Sequence, residues 1–172
     1  MELGEVEQLA FVFDMSVLFE EFVAEFLRRH RESIVLEDGG RIAKVERQRV
    51  LGKLFDEFDM KVDLVLEDDR GKRFLVDTKY KVLDSRKDHA GLSQADFYQM
   101  YGYARAGRET FREIFLLYPV GEVPVEEDFC QEEDLTLRVR QFDPRRIYDP
   151  VTGSPNIDDT VEELGRALSG CT

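Results

Sequence analysis

Asp63, Asp77 and Lys79 are the residues whose types and spacing best suit chemistry. Asp77 and Lys79 flank Thr78 in a Val- and Leu-rich stretch, 73–80, that reads as a strand. Side chains alternate faces along a strand, so Asp77 and Lys79 share one face while Val76, Thr78 and Tyr80 take the other. A similar stretch, 60–66, precedes it, and 67–72 between them is a hairpin turn signal. A three-residue loop, Asp69-Arg70-Gly71, puts Gly71 in the left-handed position such loops favour and pairs Asp68 with Lys72. In that register Asp63 lies across from Asp77. A two-residue loop shifts the pairing and breaks the alignment.

Two facing carboxylates repel, and one of them normally takes up a proton. A divalent cation reverses this by favouring both ionised forms. Ligation by oxygen alone suits Mg²⁺, with Mn²⁺ as a substitute. Lys79 beside such a cation can orient a water and stabilise charge on a phosphate. These are the parts for metal-assisted hydrolysis of a phosphodiester. The plainer alternative is structural. Asp77 sits among Leu75, Val76 and other apolar residues, where a lone carboxylate is costly, and an ion pair to Lys79 compensates it.

Several elements must position these groups. Residues 14–30 read as a helix, with Met15, Phe19, Phe22, Val23 and Phe26 as one apolar stripe. Glu20 falls at the border of that stripe, and Glu21 falls in water. Residues 37–40 are a turn signal and 42–50 an imperfectly alternating strand. Residues 93–106 read as a second helix, with Ser93 and Asp96 at capping-box spacing and Gly107 as its C-terminal cap. Residues 111–118 form an apolar run ending at Pro119, consistent with a buried strand, and 135–142 alternate as another. Residues 121–134 read as an acidic loop carrying Pro124, 143–156 as irregular, and 157–169 as a short amphipathic helix. The order predicts an α/β chain with a small mixed sheet flanked by helices.

Composition narrows the classes. A length of 172 residues suits one domain. A net charge of −13 argues against a free-standing, non-specific nucleic-acid binder and against an anionic membrane surface. The charge is uneven: residues 41–108 carry +3, while the flanks carry −7 and −9. No stretch approaches 18 apolar residues, so no transmembrane helix is expected. The N-terminus is acidic, unlike a signal or transit peptide. Cys130 and Cys171 lack metal-ligand spacing, and His30 and His89 are the only histidines, which leaves zinc sites and Ser-His-Asp or Cys-His catalysis poorly supplied. The expected compartment is the cytoplasm.

Val62-Asp63, a spacer and Asp77-Thr78-Lys79 resemble the signature of the PD-(D/E)xK nuclease superfamily, with Val62 where that pattern has proline. Glu20 fits the acidic residue that the family places on the helix before the sheet. Gln99 and Tyr103 fit the Gln-x-x-x-Tyr that a subset places on the helix after the active strands. Phe13-Asp14-Met15 with Leu18–Val23, Val76–Lys81 and Gln94–Tyr101 further resemble the nuclease domain of the McrC family, over roughly residues 11–150.

This resemblance implies one PD-(D/E)xK nuclease domain over 1–172 with a restriction-endonuclease-like core. It implies an Mg²⁺-dependent DNA endonuclease, with Mn²⁺ as possible substitute, in a modification-dependent restriction and antiviral defence system beside a McrB-like AAA+ GTPase. It implies Asp63, Asp77 and the Thr78 carbonyl as metal ligands and Lys79 as the residue that positions the attacking water. Glu20 would hold a metal-bound water or complete the metal shell; the alternative is a helix-surface carboxylate paired with Arg28 or another base. Gln99 and Tyr103 would fix the DNA strand or the lysine, unless Tyr103 is simply a core aromatic. Lys44, Arg47, Arg49, Lys81, Arg86 and Lys87 are candidates for phosphate contact, and residues 84–92 for a DNA-facing loop. Cutting both strands requires two such sites, hence a dimer. McrC proteins usually carry a further N-terminal partner-docking region, so the chain reads as an excised domain or a short relative. The rivals are a RecB-like exonuclease domain and a non-catalytic assembly module for an AAA+ partner. A Cas4-like cluster needs four cysteines, and the chain has two.

Overall fold

Three antiparallel pairings and two parallel ones build the sheet in which the candidate residues sit. The computed structural model describes residues 13–105, 111–131, 135–149 and 151–169. Its strands are β1 (Ile42–Leu54), β2 (Phe58–Asp68), β3 (Arg73–Thr78), β4 (Glu113–Pro119), β5 (Glu127–Gln131) and β6 (Leu135–Phe142). They form one six-stranded sheet in the order β1-β2-β3-β4-β6-β5. β1, β2 and β3 run as an antiparallel meander. β3–β4 and β4–β6 are parallel, and β5 closes the far edge antiparallel to β6. The helices are α1 (Met15–His30), α2 (Gln94–Arg105) and α3 (Ile157–Ala167). The expected mixed α/β class with a helix-flanked sheet is what the structure shows.

Strand alternation sorts the core into two layers. Phe74 and Val76 of β3 and Phe115 and Leu117 of β4 pack with Phe19, Val23 and Leu27 of α1 and Val161 and Leu164 of α3. Leu75, Ile114 and Leu116 face the other way and pack with Met100 and Ala104 of α2. Asp77, two residues after Leu75, therefore belongs to the α2 side.

Local signals explain the boundaries. Asp14 caps α1, its carboxylate accepting from the Ser16 backbone N–H at 3.0 Å. The capping box before α2 forms in both directions: Asp96 N–H donates to Ser93 Oγ and Ser93 N–H donates to Asp96 Oδ2, each at 3.2 Å. Gly107 and Cys171 lie outside the described residues. In the β2–β3 hairpin Gly71 has φ +79°, and Asp68 N–H donates to the Lys72 carbonyl at 2.9 Å. Asp68 is buried, and its Oδ1 accepts from Arg70 N–H and Lys72 N–H. The turn chosen from the glycine is the one present.

Three expectations are corrected. The acidic loop at 121–134 contains strand β5. Its Asp128 pairs with Arg138 and Arg140 of β6, and Phe129 meets the Phe97 ring edge-on at 4.9 Å. Sequence-distant partners thus accommodate acids that locally signal a loop. β1 runs to Leu54 rather than Val50, and β2 starts at Phe58. β3 pairs only with Leu64–Glu67, so the rest of β1–β2 projects as a ribbon tipped by exposed Phe55 and Phe58. Within 143–156, expected to be irregular, Pro144–Ile147 form a single 3₁₀ turn and Tyr148 bridges to Pro155.

Candidate active site

The meander places Asp63 and Asp77 beside each other where β3 ends. Pairs Leu64–Val76, Val65–Leu75 and Leu66–Phe74 fix the register, and one further step brings Asp63 opposite Asp77. The ladder stops before that step. Instead the Asp63 carboxylate reaches the end of β3, where its Oδ2 accepts from the Thr78 backbone N–H at 2.8 Å and the Thr78 hydroxyl at 2.9 Å. β3 is held on its other side by β4, with Lys79 N–H donating to the Leu117 carbonyl at 3.0 Å.

Asp77 is 2% exposed. Burial, and then the charge of Asp63, push its carboxyl up to about 7, against a smaller pull downward from Lys79. The Lys79 ammonium lies 2.5 Å from Asp77 Oδ2 and forms an ion pair with this buried carboxylate. Burial opposes the charge on Lys79, but Asp77 and the other nearby acids more than offset it and raise its pKa. Lys79 is accordingly a fixed cation and hydrogen-bond donor, not a base.

α2 supplies the support. Lys79 Nζ donates to Gln99 Oε1 at 3.1 Å, and Gln99 Nε2 donates to Tyr103 Oη at 2.8 Å. Their four-residue spacing puts Gln99 and Tyr103 on one helix face, and the ring of Tyr103 packs against the α2-side core. Lys79, Gln99 and Tyr103 thus form one hydrogen-bonded chain from the end of β3 to α2. One turn earlier, Lys81 pairs with Asp96 at 3.1 Å.

Glu20 approaches from α1 and accepts a hydrogen bond from Gln48 of β1. Its pKa is raised, first by burial and then by the charge of Asp63. Arg28, the alternative partner, pairs with Glu25. Gln48 carries no signal in the motifs, and its one sequence clue is its place within the alternating strand at 42–50. The proposed phosphate contacts are mostly engaged elsewhere: Lys44 and Arg49 with Glu46, Arg47 with Glu21, and Arg86 with Asp84. Lys87 flanks the single turn Asp88–Gly91, in which His89 and Ala90 have left-handed φ values of 50° and 53°.

Among the described residues, no three carboxylate, histidine or cysteine side chains converge to hold a cation alone. Two neighbouring aspartates, one of them buried with its carboxyl pushed up to about 7, nonetheless fit a hard cation. Mg²⁺ is commonly held by one or two carboxylates and keeps several waters. Among the described residues no helix is long and apolar enough to cross a membrane.

Three comparisons bear on this arrangement. A family model described as McrBC 5-methylcytosine restriction system component matches residues 2–119. No curated protein matches the chain. Among solved structures, a chain from the refined half-complex of the tetradecameric assembly of Thermococcus gammatolerans McrB AAA+ hexamers with bound McrC is similar in fold, with TM-score 0.59 and 20% identity. The match covers 88% of this chain and 32% of the other, so the present chain spans about a third of the length of that one.

Proposed function

Because the chain belongs to the McrBC 5-methylcytosine restriction system component family, we propose that it supplies the metal-dependent DNA-cleaving site of such a system. The observation that supports this best is Asp77: a buried carboxylate pushed up to about 7, set beside Asp63 and ion-paired to Lys79. The ion pair to Lys79 offsets the burial of Asp77 and its repulsion by Asp63 only in part, whereas a divalent cation would favour both ionised carboxylates.

In this reading Asp63, Asp77 and the Thr78 carbonyl hold Mg²⁺, or Mn²⁺ in its place. When bound, the cation neutralises charge on the scissile phosphate and lowers the cost of activating water. Thr78 fixes the Asp63 carboxylate through two hydrogen bonds, which leaves Asp63 Oδ1 for other contacts. Lys79 orients the attacking water and stabilises the negative charge that develops on the phosphate. Gln99, backed by Tyr103, holds Lys79 in place for this. Glu20 completes the acidic rim.

The partner assignment follows from charge and family together. The flanks carry −16 against +3 for residues 41–108, so free DNA meets a repulsive chain around a locally basic site. DNA delivered by a McrB-like AAA+ GTPase resolves that conflict, and two copies of the site would cut both strands. The test is cleavage of methylated against unmodified plasmid in Mg²⁺, with and without an McrB-like partner. Metal-dependent cutting that needs the partner and disappears in Asp77→Ala is expected. A folded parent that never cuts under any of these conditions leaves the non-catalytic assembly module as the better reading.

A further inference from the structure

Gln48 lies in the middle of β1 with φ +49°, a left-handed conformation unusual for a long side chain within a strand. Arg47 pairs with Leu64 and Arg49 with Val62, so Gln48 stands opposite Asp63. Consecutive residues of a regular strand point to opposite faces. Here both reach α1: Arg47 pairs with Glu21, and Gln48 donates to Glu20. The left-handed φ brings the second side chain round to the helix. The Arg47–Glu21 pair is exposed and already ties α1 to β1, so a tether alone does not require a strained residue beside it. The Gln48–Glu20 contact is partly buried and sits where the charge of Asp63 is felt. Strained residues that persist in a packed structure concentrate where function requires the geometry.

We propose that Gln48 is a positioning residue that fixes Glu20 at the rim of the Asp63–Asp77 site and thereby sets its affinity for a divalent cation. The inference rests on the reading of Asp63 and Asp77 as cation ligands. The amide of Gln48 donates to one oxygen of Glu20 and so fixes the direction of the carboxylate. Outer contacts of this kind govern the direction of groups around a metal, and losing one weakens binding about 10-fold or more.

The test uses Mn²⁺ binding by calorimetry together with thermal unfolding of the metal-free protein. Gln48→Gly accepts φ +49° without strain and removes the amide. It is expected to unfold at or above the parent temperature while binding Mn²⁺ about 10-fold more weakly. Gln48→Glu keeps the length but cannot donate, and is expected to lose affinity as well. In a Glu20→Gln background, adding Gln48→Gly is expected to cause no further loss. Mn²⁺ binding by Gln48→Gly as tight as the parent's overturns the inference and leaves the aspartate site standing. Equal losses from Gln48→Gly with and without Glu20 also overturn it, because Gln48 then acts by another route. Absence of Asp77-dependent Mn²⁺ binding in the parent overturns both readings.

Discussion

Asp77→Asn separates the cost of the site from its use. In the metal-free protein the Asp77 carboxyl titrates near 7 rather than at 3.8. Between those values the folded chain holds a proton that the unfolded chain has released. The contribution of Asp77 to stability is therefore greatest below pH ~4, falls as pH rises towards 7, and is flat above it. Three pKa units at 1.36 kcal/mol each place the loss at roughly 4 kcal/mol. Asparagine is neutral throughout and approximates the protonated acid in shape. At pH 8 the variant should exceed the parent by up to about 4 kcal/mol, a rise in Tm on the order of 10 °C for a chain of this size. Near pH 4 the two should converge. The groups facing Asp77 are Asp63, Lys79 and Asp96, and they remain in both proteins, so the difference between the two curves isolates Asp77. Saturating Mg²⁺ should raise the parent's stability, by about 2.7 kcal/mol at 100 times Kd, and leave the variant unmoved. Thermal unfolding across pH 4–8, with and without Mg²⁺, reads all of this. Parallel pH profiles for parent and variant, or a variant least stable at pH 8, would refute the reasoning.

Other consequences follow from single contacts. Gln99→Leu removes the acceptor for Lys79 Nζ, and cleavage at saturating DNA should fall about 10-fold or more while the fold persists, as measured by initial rates beside circular dichroism. Ser93→Ala breaks the capping box and should cost about 1 kcal/mol in denaturant unfolding. Gly71→Ala places a Cβ at φ +79° with open space around it, so the penalty is conformational, about 1–2 kcal/mol, and Tm should fall with little change in the native spectrum. DNA binding by the chain alone should be weak and fade further between 50 and 200 mM salt in a filter-binding titration.

The hairpin was readable from sequence because one glycine selects its turn, and the turn then sets every pair up to Leu64–Val76. The second helix was readable because Ser93 and Asp96 signal each other across three residues. Lys79 came from its spacing to Asp77 and Gln99 and Tyr103 from a resemblance, and the structure adds the order of the contacts among them. What escaped depends on partners distant in sequence. The acids of β5 look like a loop until Arg138 and Arg140 stand beside them. The ribbon escaped because its outer half has no sheet neighbour beyond the hairpin itself, and its apolar tip breaks the alternation that marks a strand end. Gln48 escaped because strand periodicity assumes alternating faces, and a left-handed residue within a strand violates that rule without a compositional mark.

The most direct measurement is plasmid cleavage by the chain with an McrB-like GTPase, in Mg²⁺ against chelator, for the parent and Asp77→Asn. Cleavage by the parent in Mg²⁺ only, and none by a stably folded Asp77→Asn protein, is the predicted result. Cutting by Asp77→Asn at the parent's rate, or by the parent in chelator, would contradict the assignment of Asp77 to a cation-dependent phosphodiester hydrolysis site.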